Sequence, residues 1–290
     1  EDKFGVKYVA YTATSDVHWT PPPMLPLPAA AQAVRELPYA MSPGLSQDRY
    51  AFTAASRAGA VESGYDVLNV GANLVLNTVD DLTSSGKLLT PLAAGGATAG
   101  STLASGLIIQ DVIDPQGVTS SLPSEYLIGT SMLLIGNELF AFQNVVKNVD
   151  GTITLWPWQR AVYDSIPQDH FAGDDVFVLS SGIGLAQTTP FPSDVTVNFK
   201  LLMKAGQNTL AAADAVTVPL LFRSRGKRPY PPAGVMLNGR AIQGYTAADV
   251  VSPNLSLSWS HRDRIAQGVN ILSYVAGSVG PDTGTTYTVR

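Results

Sequence analysis

The chain has 290 residues, of which 45% are hydrophobic and only 14% are charged, and its formal net charge is −5. This length accommodates two or three domains with hydrophobic cores. The acidic balance argues against general nucleic-acid binding, which requires a basic surface. The lack of cysteine excludes disulfides and thiolate metal sites, and no run of about 18 apolar residues suggests a membrane span. The low charge predicts apolar surface that partner subunits cover.

Residues 1–120 are predicted to form an N-terminal, mostly-β domain. The proline-rich stretch at 20–28 predicts an extended arm, which is either a connector between domains or a strap on a neighbouring subunit. Residues 29–37 are the best short helix candidate and end at Pro38. Alternating patterns predict strands at 4–14, 49–55, 64–75 and 107–112.

Residues 121–222 are predicted to form a domain rich in β-hairpins. A two-residue turn at Gly136-Asn137 joins two apolar runs, and Asp150-Gly151 is the turn signal of a second hairpin. Residues 121–179 therefore have the pattern of one compact β-unit. A further strand is predicted at 195–201, where apolar residues occupy alternate positions.

The second hairpin leads into a loop that ends at a strand over 176–179 and that organises this part of the chain. His170 lies there with several carboxylates, a combination compatible with general acid–base chemistry or Ca²⁺ binding. We favour a structural loop, because short polar side chains in turns hydrogen-bond the local backbone. Burial of its aromatic residues is also expected. The candidate residues are Trp156, Trp158, Arg160, Tyr163, Asp164, His170, Gly173 and Asp174.

Residues 223–290 are predicted to form a fibronectin-III-like sandwich with Trp259 pointing into its core. Basic residues and prolines at 223–232 indicate a linker or, alternatively, a subunit contact. Because the last predicted strand reaches Arg290, we expect this domain to be truncated and the chain to be a piece of a longer polypeptide. A structural strand end is predicted at Trp259, Arg262, Asp263 and Arg264, with Arg–Asp pairing and an arginine stem over Trp259. The alternative is that Arg262 and Arg264 bind anionic lipopolysaccharide or DNA.

The sequence lacks the common catalytic motifs, which predicts a protein that is not an enzyme and needs no cofactor. The three histidines, His18, His170 and His261, are far apart and lack the spacing of a zinc site. No G-x-S-x-G nucleophile motif or dinucleotide fingerprint occurs. A glycosidase requires two carboxylates across a cleft, and the sequence does not single out such a pair.

Three stretches resemble the baseplate-hub or tip-attachment proteins of long-tailed siphophages and gene transfer agents. The first contains Arg160, Tyr163-Asp164-Ser165, Pro167, His170 and Ala172-Gly173-Asp174, similar to a family segment RG-x-x-D-T-x-P-x-x-H-x-A-G. The second runs from Arg228-Pro229-Tyr230-Pro231-Pro232 to Trp259-Ser260-His261-Arg262-Asp263-Arg264, and the third covers Gly280-Pro281 and residues 284–290. Val162 stands where the family usually has Gly at or beside this position.

The resemblance implies a structural protein of the virion that acts in tail-tip assembly, fibre attachment and host recognition. Such proteins are typically trimeric, so a homotrimer is expected, with other tail-tip and tail-fibre proteins and a host receptor as partners. The fold expected is all-β and modular, with few short helices. Two alternatives stay open: a carbohydrate-binding tail adhesin with Trp156 and Trp158 as an exposed platform, and a non-catalytic part of a cell-wall-degrading tail protein.

Overall fold

The expected all-β fold is confirmed in the computed structural model, which describes residues 24–41, 49–94, 106–180, 183–185, 190–242, 254–272, 274 and 278–288. The strands are β1 Ala31–Glu36, β2 Ala51–Ser56, β3 Gly64–Asn69, β4 Leu74–Val79, β5 Ser85–Leu88, β6 Leu107–Ile113, β7 Met132–Ile135, β8 Glu138–Lys147, β9 Ile153–Arg160, β10 Asp175–Val178, β11 Ile183–Leu185, β12 Thr196–Ala205, β13 Asn208–Thr209, β14 Thr217–Leu221, β15 Ala233–Leu237, β16 Arg240–Ala241 and β17 Leu257–Ser260. The α-helices of the described residues are α1 Pro123–Tyr126 and α2 Arg264–Gln267. Neither is long enough to cross a membrane.

Six antiparallel strands close into a barrel in the order β10-β5-β6-β9-β8-β7, and β7 pairs back to β10. Both predicted hairpins, β7–β8 and β8–β9, lie side by side in it. Apolar side chains fill its interior, because alternate residues of every strand point inward. This core contains Leu88, Leu92, Leu107, Ile109, Val118, Leu133, Ile135, Phe140, Phe142, Ile153, Leu155, Trp158, Val176 and Val178.

A small sheet, β1-β2-β11, lies between the outside of the barrel and a second sheet, β13-β12-β3-β4 with β14 also paired to β12. On β2, Phe52 and Ala54 pack in a core shared with the barrel, whereas Ala51 and Ala55 pack in the core of the second sheet. All six residues of β2 are therefore buried. The small alanine side chains let both neighbours approach the central sheet closely.

The short helix predicted at 29–37 is wrong, since residues 31–36 form β1. Its Ala-rich composition favours helix as a local preference, but β1 pairs with β2 from Ala31↔Ser56 to Glu36↔Ala51. Both faces of the strand are also covered: Ala33 contributes to the barrel-side core and Val34 to the opposite one. Tertiary burial therefore overrides the local preference.

The division predicted at residues 120 and 121 does not coincide with a division between sheets. Strands β5 and β6 precede it and close the barrel with β7–β10, while β3 pairs with β12 from Phe199↔Asn69 to Lys204↔Gly64. The strand predicted at 4–14, His18 and residues 20–23 of the arm lie outside the described residues. The rest of the arm, at 24–28, contacts the edge of the second sheet, where Asn208 Nδ2 donates to the Met24 carbonyl at 2.9 Å. The Leu27 amide donates to Glu62, just before β3, at 2.9 Å.

After residue 222 the described chain forms a three-stranded sheet, β16-β15-β17, and helix α2. The strands predicted near 269–275 and 285–290 are not strands in their described parts, at 269–272, 274 and 285–288. Trp259 is half-buried rather than enclosed in a sandwich core. Within the described part of residues 223–290, the strands thus form one three-stranded sheet, and the two-sheet sandwich stays a prediction.

We predict that Gly64→Ala lowers the free energy of unfolding by about 1–3 kcal/mol, because a rigid backbone cannot yield to the added group. A Cβ at Gly64 would lie 2.3 Å from the Val79 carbonyl oxygen on the neighbouring strand. The control is Gly71→Ala on the exposed β3–β4 turn, where the nearest atom is 3.7 Å away. Urea unfolding of both variants checks this, and equal midpoints would contradict it.

Candidate functional site

The loop from Ala161 to Asp174, here called the junction loop, connects β9 to β10. Ala161 and Tyr163 adopt left-handed backbone conformations with φ of 54° and 56°, so the chain reverses sharply on either side of Val162. The two positive φ angles, which favour glycine, therefore occur at the neighbours of Val162 and not at Val162 itself. Three sets of contacts tie the junction loop to separate parts of the molecule.

The first tie is a fully buried ion pair between Arg160, the last residue of β9, and Glu138, the first residue of β8. Arg160 Nε donates to Glu138 Oε1 and Nη2 donates to Oε2, both at 2.7 Å, and neither residue is exposed to solvent. Arg160 also donates at 2.6 Å to the carbonyl oxygens of Ala93 and Gln168. The guanidinium thus holds the end of the barrel, the junction loop and the segment after β5 together.

Glu138 is fully buried and engaged by several donors of the protein, so a substrate cannot reach it. Its Oε2 also accepts from the Gln168 backbone N–H at 2.9 Å and bonds His170 Nε2 at 2.9 Å. His170 is 4% exposed, its backbone bridges to Leu92, and its ring lies 5.7 Å from that of Phe140. General acid–base chemistry needs a group within reach of a substrate proton. This enclosed cluster is instead a structural lock.

Two other carboxylates of the loop accept hydrogen bonds from backbone N–H groups. The bond of Asp174 is local, as expected of short side chains in turns, whereas that of Asp169 reaches a distant segment. Asp174 accepts from the Phe171 N–H at 2.9 Å and lies 3.7 Å from His170 Nδ1. Asp169 accepts from the Ala94 N–H at 2.6 Å. Gly173 has a φ of 93°, which favours glycine in this turn. Among the described residues no group of three or more potential ligands could hold a metal ion.

The second tie joins Asp164 to Arg225, 61 residues further along the chain. Arg225 Nη2 donates to Asp164 Oδ1 at 2.8 Å and Nε donates to Oδ2, which makes the pair bidentate. Glu36, at the end of β1, accepts from the backbone N–H groups of Arg223 and Arg225, both at 2.8 Å. Burial alone would lower the pKa of Arg225, but Asp164 and Glu36 raise it above its ordinary value. Arg225 is thus a structural cation and not a solvated linker residue.

The third tie connects the loop to the C-terminal region. Tyr163 is 2% exposed, and its hydroxyl donates to the Val269 carbonyl at 2.9 Å. Arg262 donates to the Ala161 carbonyl at 3.5 Å, and its guanidinium carbon lies 5.5 Å from the ring centre of Tyr230. Burial lowers the pKa of Arg262. Ala161 also packs with Ala233 and Tyr274 in a small core.

The predicted strand end is structural, but its contacts differ from those expected. Arg264 pairs with Asp282 at 2.9 Å instead of Asp263, and it donates to the Gly226 carbonyl at 2.6 Å. Asp263 caps α2 by accepting from the N–H groups of residues 265 and 266. The guanidinium carbons of Arg262 and Arg264 lie 5.5 Å and 5.3 Å from the ring centres of Tyr230 and Tyr39. The arginine stem over Trp259 stays a prediction.

The two tryptophans of β9 have opposite environments. Trp158 is 2% exposed inside the barrel, whereas Trp156 is 45% exposed, so the expected burial is right for Trp158 and wrong for Trp156. Ile153 and Leu155 also point into the barrel core, so Trp156 falls on the outer face. The alternation then shifts by one residue at Pro157, which brings Trp158 inside. A separate apolar groove of about 720 Å³ lies beside β15 and β17 and contains Trp259 and Tyr287, whose rings are 5.6 Å apart.

Sequence reasoning missed the partners Glu138, Glu36 and Asp282. The sequence holds one signal for Glu138: it is a carboxylate at the start of the apolar strand β8. A charge in such a buried position requires a partner of opposite charge. Which arginine would pair with it depends on the barrel register, in which Phe140 lies opposite Arg160.

We predict that Glu138→Gln lowers the free energy of unfolding by about 3–5 kcal/mol, because it leaves Arg160 buried without its counter-charge. The control is Lys87→Gln in the same barrel. Lys87 pairs with Asp175 at 2.6 Å, but both side chains are about two-fifths exposed, so its loss costs about 0–1 kcal/mol. Chemical denaturation measures both values, and similar losses in the two variants would contradict the role of the lock.

We also predict that Tyr163→Phe makes stability less sensitive to alkaline pH. Burial raises the pKa of Tyr163 from 10.0 to about 12. Between these values the unfolded chain releases a proton that the folded protein keeps, so stability present below pH 10 is lost as the pH rises to 12. Removing the hydroxyl should reduce this slope by roughly 1 kcal/mol per pH unit.

Denaturation midpoints at pH 9, 10 and 11 measure this slope. Burial also raises the pKa values of Tyr65 and Tyr230, so the slope in the variant is reduced and not abolished. An unchanged slope would show that Tyr163 ionises as readily in the folded protein as in the unfolded chain.

No protein-family model matches the chain, and no curated protein is significantly similar to it. The function is therefore inferred from the contacts of the site itself.

Proposed function

We propose that this chain is a structural, non-catalytic component of a phage tail tip or baseplate, forming part of the central hub. The observation that supports this proposal most directly is the junction loop. The loop and Arg160, which directly precedes it, hold the barrel, the β1 edge and the C-terminal region to one another through Arg160–Glu138, Asp164–Arg225 and Tyr163–Val269. A loop used in this way is a joint between modules.

A hub acts through interfaces and through the fixed placement of its parts, so its polar groups are expected to hold structural elements in position. Buried ion pairs are a device for that purpose in this protein, because they tolerate few alternative arrangements of the chain. The enclosed Arg160–Glu138–His170 cluster also argues against a catalytic site in this loop. Its members are at most 4% exposed.

The surface supports assembly with partners. Several large apolar side chains are more than two-fifths exposed, including a group around α1 and another in the arm before β1. Exposed apolar side chains mark sites of protein association where they lie close together. The exposed residues of these two groups are Leu122, Leu127 and Ile128, and Met24, Leu25 and Leu27. We propose that they face other copies in a homotrimer or neighbouring tail-tip and tail-fibre proteins in the virion.

The alternative of a carbohydrate-binding adhesin is less well supported. A platform of two tryptophans requires both indoles to face solvent, and Trp158 is buried in the barrel. Trp156 alone offers one exposed ring. Contact with a host receptor therefore belongs, in this proposal, to the assembled tail tip rather than to a sugar platform on β9.

We predict that peptides of this chain co-sediment with tailed particles in a density gradient, because a hub protein stays with the virion. Light scattering of the purified chain should give about three times its monomer mass of 30.5 kDa, since apolar surface favours closed symmetric assembly. The major tail protein is the positive control for co-sedimentation. Recovery only in the particle-free fraction would contradict the virion role, and a monomer at all concentrations would contradict the trimer.

A further inference from the structure

A cleft of about 580 Å³ opens between the junction loop and the segment that follows β14. This volume is in the range of small-molecule sites. Four arginines and two carboxylates face it, together with the side-chain amides of two neutral residues. These groups are Arg35, Arg223, Arg225, Arg228, Glu36, Asp164, Asn137 and Gln168.

Both carboxylates of the cleft are already engaged. Asp164 forms the bidentate pair with Arg225. Glu36 accepts from the backbone N–H groups at positions 223 and 225, and its own carbonyl accepts from Arg225 Nη1 at 2.9 Å. One arginine is thereby held by Asp164 and lies within the field of Glu36. Neither carboxylate contacts another guanidinium of the cleft within the described residues.

The other three guanidiniums lack a paired counter-charge in the part of the chain that the structure describes. Among the described residues, Arg35 donates to the carbonyl oxygens of Gly136 at 3.0 Å and Val34 at 2.9 Å and to no carboxylate. Arg223 and Arg228 are exposed, and among the described residues neither forms an ion pair with a carboxylate. Burial, followed by the nearby charge of Arg225, lowers the pKa of Arg35, which is the response of a cation without compensation.

We propose that this cleft binds a small oxyanion ligand carrying about two negative charges, such as a phosphate monoester or a dicarboxylate. Four arginines against two carboxylates leave an excess of two positive charges, although the chain as a whole carries −5. Planar guanidinium groups donate paired hydrogen bonds to phosphate and carboxylate oxygens alike. Asn137 and Gln168 add neutral amide donors at the wall of the cleft.

This site is independent of the proposed hub function, because it rests on charge and geometry within one copy of the chain. Titration calorimetry of the full 290-residue chain tests it with three probes: inorganic phosphate, glycerol 3-phosphate and succinate. Binding of the two phosphates alone would identify a phosphate site, and binding of succinate as well would identify a general dianion site. Either result supports the proposal.

Matched variants then localise the binding. Arg228→Gln removes a cleft guanidinium, and Lys227→Gln removes the same charge one residue earlier, at an exposed position that does not line the cleft. Loss of a charge-assisted hydrogen bond should weaken binding about tenfold in the first variant. The second should change it by less than about twofold, as expected for a screened surface charge. Arg223→Gln provides a second cleft variant.

Two outcomes would overturn the proposal. One is the absence of measurable binding for every probe at about 10 mM, which would mean that each dissociation constant lies well above the millimolar range. The other is equal weakening by Arg228→Gln and Lys227→Gln, which would indicate attraction to the surface charge alone. Thermal unfolding accompanies each titration, so that a folded Arg228→Gln protein without binding counts as support.

Discussion

The buried pair between Arg160 and Glu138 is the interaction on which the rest of the structure depends. Transferring two ions out of water costs several kcal/mol each, and only near-ideal geometry with further hydrogen bonds offsets that cost. Here both bonds of the pair are 2.7 Å long, and two carbonyl oxygens and a backbone N–H complete the shell. The positions of residues 93 and 168 are therefore fixed relative to the barrel.

With its base fixed in this way, the junction loop presents its other side chains to separate partners. The left-handed residues Ala161 and Tyr163 turn the chain so that Tyr163 reaches Val269 and Asp164 reaches Arg225. Non-glycine residues hold such conformations only where the surroundings stabilise them. The buried charge pair fixes the start of the loop, and the loop then contacts two regions that are far apart in sequence.

The contacts of the junction loop also determine the charge of the basic cleft. Asp164 and Glu36 are used to hold the segment after β14, and this leaves the arginines around them with an unbalanced charge. A structural role for the carboxylates and a binding role for Arg35, Arg223 and Arg228 are therefore compatible in one place. An anion in the cleft would lie beside the contacts between modules, so its binding would be coupled to their stability.

The sequence by itself determined the local features: the all-β class, the hairpins at Gly136-Asn137 and Asp150-Gly151, and the backbone hydrogen bonds of Asp174. These follow from turn residues and period-two alternation, which depend on neighbours only a few positions away.

Only the tertiary structure decided the rest. Residues 31–36 have a composition that suits a helix, yet burial between two cores makes them a strand. Trp156 faces solvent on the outer side of the barrel, and Trp158 enters the core because the alternation shifts at Pro157. The partners of Arg160 and Arg225 lie 22 and 61 residues away, where register and closure, rather than local pattern, choose the contact. Charges find their partners through the fold, so one-dimensional spacing does not specify them.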